Sequence, residues 1–169
     1  MNIVYFSLGS NQGNRIKNLK QSVESIQIQI GELIDQSSYF ETEPWGFSSE
    51  IRFINQVISI KTNLSVRQVL QKILRIEEVL GRTRLNNPQL YCNRIIDVDI
   101  LFYDDTIYSD NDLVVPHRFI PERRFVLEPL NEIAPDFVHP LLKQPVKELL
   151  QKCSDQLKVV KLVPTETLI

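Results

Sequence analysis

The stretch RIIDVDILFY at residues 94–103 is an apolar run interrupted by two carboxylates, Asp97 and Asp99. Its β-branched and aromatic residues, and the turn pair Asp104-Asp105 that follows them, predict a strand from Arg94 to Tyr103. The chain before it predicts, in order, a strand, a helix, two strands and a second helix. With the stretch in last place, this order is the split βαβ arrangement, which favours a ferredoxin-like α+β sandwich with C-terminal elaborations.

The boundaries of the other elements follow from apolar spacing and turn residues. Apolar residues at three- and four-residue steps indicate helices, and short alternating or continuous apolar runs indicate strands. Gly31 and Gly81 each follow a helical stripe as a C-terminal cap would, and Ser65 is a candidate N-cap. The other predicted strands are Asn2–Leu8, Leu33–Thr42, Arg52–Thr62 (its even-numbered face the more apolar), Ile107–Tyr108, Leu113–Val115 and Leu157–Val163; the predicted helices run from Asn14 to Gly31, from Ser65 to Gly81, over Pro121–Ile133 and through Leu149-Leu150; residues 43–49 and 82–93 are predicted loops.

The length of the chain predicts one domain over residues 1–169, and its charge bears on the expected partners. The chain has 19 Lys+Arg, 21 Asp+Glu and a formal net charge of -2. A protein this near to neutral has no overall basic field, so nucleic acid and anionic membranes are not expected as partners. No run approaches the roughly 18 apolar residues of a membrane span. Cys92 and Cys153 lack a C-x-x-C spacing, as is typical of reduced thiols, and we expect a monomer in the cytoplasm.

Asp97 and Asp99 are two residues apart on the predicted strand, and side chains at that spacing point the same way. Two carboxylates side by side lose solvation and raise each other's pKa unless a cation lies beside them. Hard oxygen ligands of this kind suit Mg²⁺, which completes its shell with water and substrate phosphates. The alternative is a pair of solvent-facing residues on a half-buried strand, and the spacing by itself leaves both open.

Arginine is concentrated in the middle of the chain. Between Asn63 and Leu142 there are eight arginines and one lysine, although the whole chain has ten and nine. The planar guanidinium matches phosphate oxygens two at a time, whereas lysine is the usual solvating charge. With the Asp pair, these arginines indicate phosphoryl or nucleotidyl transfer, and no P-loop motif is present. Surface ion pairs are the competing explanation for Arg67 and Arg75, and the phosphate-binding candidates are Arg82, Arg84, Arg94 and Arg123.

A second group of residues suits a flat heterocycle. Trp45 lies in a loop with glycine and serine, and Phe53 and Asn55 share one face of a predicted strand. Aromatic rings give affinity for such a ligand by stacking, and an Asn amide supplies both a donor and an acceptor. Core packing is the competing explanation for Phe53 and Phe125. The other candidates for this group are Thr42, Pro44, Gly46 and Tyr91.

Taken together, these segments resemble the 6-hydroxymethyl-7,8-dihydropterin pyrophosphokinases of folate biosynthesis, along essentially the whole chain. The resemblance implies a ferredoxin-like α/β/α fold and transfer of the terminal pyrophosphate of ATP to the hydroxymethyl group of the pterin, leaving AMP. The matching stretches are SLGSNQGNR at 7–15, FETEPWG at 40–46, FINQVISIKT at 53–62, IEEVLGRTR at 76–84, RIIDVDILFY at 94–103 and VPHRFIPERRFVLEPLNEIAP at 115–135.

The resemblance also implies roles for individual residues. Asp97 and Asp99 would hold two Mg²⁺ ions that bridge the phosphates of ATP, the co-substrate, and the acceptor oxygen. Arg82 and Arg84 would lie on a mobile loop that closes over the triphosphate. The remaining phosphate contacts would be Arg94, His117 and Arg123, with Glu77 at the nucleotide side, and the pterin would be held by Thr42, Pro44, Trp45, Gly46 and Asn55, with its ring between Tyr91 or Phe53 and Phe125.

Two departures from the family pattern and two alternative functions remain. Cys92-Asn93 stand where the family usually has Gly-Pro, and Arg118 follows His117 where a proline is common. A palm-type nucleotidyltransferase would require a third carboxylate near the pair, and Asp104 or Asp105 could be proposed for it. A non-catalytic module that binds a small molecule would require neither the arginines nor the Asp pair.

Overall fold

Six strands form one antiparallel sheet in the computed structural model, which describes residues 1–83 and 92–163. Two further strands form a separate hairpin, and four α-helices complete the described part of the chain. The strands are β1 (Asn2–Ser10), β2 (Glu32–Gln36), β3 (Phe40–Thr42), β4 (Phe53–Thr62), β5 (Asp97–Tyr103), β6 (Tyr108–Ser109), β7 (Val114–Val115) and β8 (Val159–Lys161), and the helices are α1 (Arg15–Gln29), α2 (Val66–Val79), α3 (Arg124–Ile133) and α4 (Val146–Lys152).

The strands of the sheet lie in the order β5-β1-β4-β3-β8, so β1 is bonded on both sides. One half of β4 pairs with β3, and the other half pairs with β2. β8 extends the sheet beyond β3. This order places β5 and β4, which are far apart in sequence, on either side of β1.

Helices cover both faces of the sheet. On one face, residues of α1 and α2 such as Leu19 and Ile73 belong to a buried cluster with Phe6. On the other face, α3 and α4 contribute to a second buried cluster that includes Val57 and Phe102. This arrangement confirms the α/β/α sandwich. The even-numbered face of β4, expected to be the more apolar, packs into the first cluster through Ile54, Ile58 and Ile60. The opposite face is buried as well, with Val57 in the second cluster.

The predicted strand Leu33–Thr42 is wrong as a single element, because residues 37–39 separate β2 from β3. Ser37 causes the break. Its backbone N–H donates to Val57 O, while its hydroxyl accepts from the Val57 N–H at 3.0 Å. A side chain thus replaces one partner of the ladder, and the regular backbone pairing stops there.

The predicted strand Arg94–Tyr103 begins too early, since β5 starts at Asp97. Asn11 binds the backbone of Arg94 from both ends, because its N–H donates to Arg94 O and its Oδ1 accepts from the Arg94 N–H. The predicted helix Pro121–Ile133 is likewise divided into a 3₁₀ turn, Ile120–Glu122, and α3. Arg123 between them is extended, with φ -121° and ψ 99°, which turns its side chain away from a helical direction.

The ends of the other strands and helices differ less from the predicted ones. β1 runs two residues beyond the predicted Leu8, and β8 is shorter than the predicted Leu157–Val163. Of the two glycines expected as helix caps, Gly81 has a positive φ of 94°, as a cap does, whereas Gly31 does not have one. None of the helices described is long and apolar enough to span a membrane.

We predict that Gly31→Ala destabilises the fold. A Cβ at Gly31 would lie 2.1 Å from the backbone oxygen of Lys61 in β4, where neither strand nor helix can move freely. The expected cost is about 1–3 kcal/mol, as for other overpacked positions, and urea denaturation measures it. The control is Gln29→Ala, an exposed change two residues earlier that should be nearly neutral. Equal stability of the two variants would contradict the close contact.

Candidate active site

The two carboxylates of β5 lie at the junction of two cavities. Asp97 pairs with Gly9 of β1, and Asp99 pairs with Ser7, so both side chains leave the same face of the sheet, as their spacing predicts. Among the described residues that line the two cavities, Asp97 and Asp99 are the only two that they share. Ligands in the two cavities would therefore both lie beside Asp97 and Asp99.

The first cavity is lined mainly by aromatic rings and by one buried amide. Asn55 Nδ2 donates to Thr42 Oγ1 at 2.7 Å, and both side chains are buried. The rings of Phe47 and Phe53 meet edge to face, with centroids 6.1 Å apart. The lining residues are Ser7, Gly9, Thr42, Glu43, Trp45, Phe47, Phe53, Asn55, Arg94, Asp97, Asp99, Arg123 and Phe125.

This cavity brings together most of the residues expected to suit a heterocycle. Thr42, Trp45, Phe53, Asn55 and Phe125 line it, whereas Pro44 and Gly46 belong to the same loop but are not among its lining residues. Tyr91 lies outside the described residues, as does Arg84. The sequence reasoning missed Ser7, Gly9, Glu43 and Phe47.

The second cavity is polar at the carboxylates and apolar farther away. Its polar side includes Glu77, Arg82, His117 and Arg118. Its apolar side comes from α2 and from the β6–β7 hairpin, which the sequence analysis did not assign to a site. The apolar residues that line this cavity are Leu70, Ile73, Leu74, Leu113 and Val114, with Val98 and Ile100 of β5.

Two arginines neutralise Asp97. Arg94 donates to one carboxylate oxygen at 2.5 Å, and Arg82 donates to the other at 2.5 Å. The same Arg82 nitrogen also contacts Glu77, whose side chain is only 2% exposed and which accepts from the Val98 N–H at 2.8 Å. The Glu77 carboxylate thus holds Arg82 against β5 and is directed at protein groups as well as at the cavity.

Arg123 lies beside Asp99, and aromatic rings lie against its guanidinium. Its Nη1 lies 3.8 Å from the Asp99 carboxylate, and its side chain is 8% exposed. Its guanidinium carbon lies 4.5 Å from the ring centroid of Trp45 and 4.8 Å from that of Phe119. Such faces attract a cation without neutralising it, so the guanidinium keeps its positive charge beside Asp99.

The pKa values of the two carboxylates are shifted in opposite directions. Burial acts to raise the pKa of Asp97, but the charges of Arg94 and Arg82 outweigh it, and that pKa lies below its ordinary value. Burial and the neighbouring charge of Asp97 raise the pKa of Asp99 to about 7, against the opposing effect of Arg123. Since 37% of the Asp99 side chain is exposed, water screens part of the repulsion, and the shift is smaller than complete burial would give.

His117 completes the polar boundary as a neutral imidazole. Burial and the charge of Arg123 lower its pKa to about 4. Its Nδ1 accepts from the Phe119 N–H at 3.2 Å, so the ring hydrogen lies on Nε2, which is 4.0 Å from the Asp99 carboxylate. At neutral pH this residue offers a hydrogen-bond donor without adding a positive charge.

Two other arginines of the region, Arg67 and Arg124, have structural partners. Arg67 pairs with Asp110 and Asp112, as the surface explanation for this residue anticipates. Arg124 binds the backbone oxygens of Cys153 and Asp155. The arginine enrichment therefore contains both site residues and residues that fasten neighbouring elements.

Asp104, one of the two residues that could be proposed as the third carboxylate of a palm-type nucleotidyltransferase, does not lie beside the pair. Asp104 accepts from the Ile3 N–H at 2.7 Å, beyond the end of β5 opposite to Asp97. Within residues 1–83 and 92–163, no group of three or more His, Cys, Asp or Glu side chains is placed to hold a metal ion. A cation at Asp97 and Asp99 would require additional oxygens from a ligand or from water.

We predict that Asp99→Asn stabilises the protein at alkaline pH. The folded pKa of Asp99 lies above the unfolded value of about 4, so its ionisation costs stability that is absent below that value, grows towards pH 7 and stays constant above it. With allowance for solvent screening, the variant should be about 1 kcal/mol more stable at pH 8, or roughly 2–4 °C in Tm, and equal to the parent near pH 4.

Thermal unfolding in chelator at both pH values measures this difference, and the contribution of His117, present in both proteins, cancels. Asp105→Asn, a change of the same kind at an exposed residue, should alter Tm at neither pH. An Asp99→Asn advantage of the same size at pH 4.5 and at pH 8 would exclude the raised pKa.

A family model and the sequence relatives of this chain point to the same protein family. Residues 5–135 match the family model described as 7,8-dihydro-6-hydroxymethylpterin-pyrophosphokinase (HPPK). The chain is 40% identical over 143 residues to the 2-amino-4-hydroxy-6-hydroxymethyldihydropteridine pyrophosphokinase of Porphyromonas gingivalis, covering 83% of this chain and 95% of that one. It is 36% identical over 148 residues to the corresponding protein of Aquifex aeolicus, covering 88% and 90%.

Longer proteins contain a similar segment. The folic acid synthesis protein fol1 of Schizosaccharomyces pombe is 36% identical over 157 residues, which is 91% of this chain and 21% of fol1. Among solved structures, an HPPK-DHPS in complex with substrates matches with a TM-score of 0.71 at 16% identity, over 89% of this chain and 43% of that one. The structural match supports the fold, and with the family model and the sequence relatives it leads to one conclusion. The chain belongs to the 7,8-dihydro-6-hydroxymethylpterin-pyrophosphokinase family.

Proposed function

We propose that this protein transfers the terminal pyrophosphate of ATP to the hydroxymethyl group of 6-hydroxymethyl-7,8-dihydropterin, giving AMP and the pterin diphosphate in folate synthesis. The observation that carries the proposal is the pair Asp97 and Asp99, which joins an aromatic cavity to a second cavity with an arginine-rich end. A reaction between a flat heterocycle and a polyphosphate requires two such compartments in contact. We further propose one domain over residues 1–169, acting as a cytoplasmic monomer.

The aromatic cavity supports the role of acceptor site. The hydrogen bond from Asn55 to Thr42 fixes the orientation of the amide, which then presents a defined edge to a heterocycle. Phe53 and Phe125 supply ring surfaces for stacking. Trp45 and the neighbouring residues Pro44 and Gly46 would border the same ligand, and Tyr91 stays a predicted contact.

The second cavity supports the role of nucleotide site. Its apolar part, between α2 and the β6–β7 hairpin, suits a base, because apolar side chains on two sides leave a slot for a flat ring. Its polar part suits the phosphates, since Arg82 and His117 lie there beside the carboxylates. Arg94 and Arg123 approach the same carboxylates from the first cavity, where they would meet the phosphoryl group being transferred.

The carboxylate pair fits a divalent cation. Burial and the neighbouring charge of Asp97 raise the pKa of Asp99, and a cation between the two carboxylates would relieve their repulsion. Asp97 and Asp99 would hold two Mg²⁺ ions, which when bound neutralise phosphate charge and lower the cost of deprotonating the acceptor hydroxyl. Glu77 is committed to Arg82 and to the Val98 N–H, so we assign it a supporting position at the nucleotide side.

The chain's own residues then act by positioning and by charge. The acceptor hydroxyl attacks the β-phosphorus in line, its proton leaves to solvent, and AMP departs with the electrons of the broken bond. Holding both substrates in adjacent cavities makes this step effectively unimolecular. Arg82 and Arg94 would release Asp97 and contact phosphate oxygens, whereas Arg123, held by aromatic rings, has its charge already directed at the centre.

One assay distinguishes the alternatives. Purified protein with ATP, Mg²⁺ and the hydroxymethyl dihydropterin should form AMP and a pterin diphosphate in equal amounts. Release of pyrophosphate with transfer of the nucleotidyl group would support the palm-type reaction, and binding without turnover would support the non-catalytic module. Either result would overturn the proposal.

We predict that Asp97→Asn lowers turnover by at least about a hundredfold, as loss of a charge-stabilising group at a reacting centre does. The fold should survive, because Arg82 keeps Glu77 as its partner. Steady-state kinetics measures the loss, and circular dichroism with Tm checks the fold. Near-normal turnover in this variant would contradict the metal assignment.

We predict that Arg82→Ala lowers kcat with little change in the KM for the pterin, because Arg82 lines the nucleotide cavity and not the aromatic one. Arg82→Lys should recover only part of the loss, since an ammonium lacks the guanidinium fork. The control is Arg75→Ala on α2, an exposed residue outside both cavities, which should leave kcat unchanged. An effect of Arg82→Ala confined to pterin affinity would contradict the phosphate role.

A further inference from the structure

Small residues line the aromatic cavity where β1 passes beneath it. Gly9 and Ser7 are two residues apart and both lie on the face of β1 that carries the site. The next residue on that face, Tyr5, packs against Phe102 and Phe137. Strand β1, which lies between β5 and β4, therefore has a depression at Gly9 and Ser7 that is bounded at one end by the Tyr5 ring.

Gly9 lies midway between the two ends of the proposed acceptor site. Its register partner in β4 is Asn55, and its register partner in β5 is Asp97. Register partners in antiparallel strands project from the same face, so the amide, the glycine and the carboxylate form one row across three strands. The two outer strands are separated by two interstrand spacings, or roughly 9.5 Å.

The backbone of Gly9 does not require glycine. The described glycines with positive φ are Gly13, Gly46 and Gly81, and Gly9 is not one of them. Glycine weakens the interior of a strand, and at such a position it commonly marks the close approach of a ligand or another backbone. The space beside Gly9 is in fact limited, because a Cβ there would lie 2.7 Å from Asn55 Oδ1 and 3.5 Å from the Phe53 ring.

We propose that Gly9 is a specificity-determining residue of the acceptor site. The missing side chain leaves a floor on which a flat two-ring heterocycle lies across the sheet, with its polar edge at Asn55 and its one-carbon hydroxyl arm at Asp97. This inference rests on the proposed function and adds a residue to it. Any side chain at Gly9 displaces the Asn55 amide, separates it from Thr42 and lifts the ring away from β1.

The test is Gly9→Ala in the full-length protein. The dissociation constant for the hydroxymethyl dihydropterin, measured by calorimetry with a non-hydrolysable ATP analogue and Mg²⁺, should rise at least tenfold, and the KM for ATP should change less than twofold. Gly9→Ser should weaken pterin binding further. The Tm of Gly9→Ala should stay within a few degrees of the parent, because the Cβ meets the movable end of a side chain and no backbone atom.

A double-mutant cycle identifies the route of the effect. If Gly9→Ala acts by displacing the Asn55 amide, its effect on pterin binding should be several-fold smaller in an Asn55→Ala background than in the parent. Unchanged pterin binding, equal effects in the two backgrounds, or a large fall in Tm would each overturn the assignment. Absence of AMP formation by the parent protein is a separate result, which would overturn the proposed function instead.

Discussion

The structure of the site depends on one electrostatic constraint, which is that two carboxylates emerge from the same face of β5, the strand at one end of the sheet order. Asp97 and Asp99 cannot separate, because the two-residue period of β5 fixes both directions. Their repulsion is only partly compensated, since Arg82 and Arg94 neutralise Asp97 and leave Asp99 with a raised pKa. The site is thus arranged around a charge imbalance that a cation with a bound polyphosphate would resolve.

The remaining site residues fall into two groups around this pair. Arg82 and Arg94 form tight ion pairs with Asp97 at the start of β5, and under the proposed function they would exchange this carboxylate for phosphate oxygens. Arg123 differs, because the rings of Trp45 and Phe119 lie against its guanidinium and its Nη1 is 3.8 Å from Asp99, a longer contact than those of Arg82 and Arg94 with Asp97. Trp45 lines the aromatic cavity, so under the proposed function its contact with Arg123 would link the two substrates, as the carboxylates would.

Much of the fold could be predicted from sequence, because apolar period and glycine positions reflect local geometry. Errors arose where a side chain interferes with the backbone, as Ser37 does between β2 and β3 and Asn11 does before β5. The Asp pair was visible because its two-residue spacing is local information. Gly9 was not, since its importance comes from pairing with Asn55 and Asp97, which lie 46 and 88 residues away and become its neighbours only in the sheet.

The most direct test of the central claim follows the phosphates of ATP across the carboxylate pair. ATP labelled separately at the α-, β- and γ-phosphorus should be incubated with the protein, Mg²⁺ and the hydroxymethyl dihydropterin, and the products separated by chromatography. The account predicts that the β and γ labels reach the pterin together while the α label stays in AMP. Transfer of the γ label by itself, or of the α label with release of pyrophosphate, would contradict it.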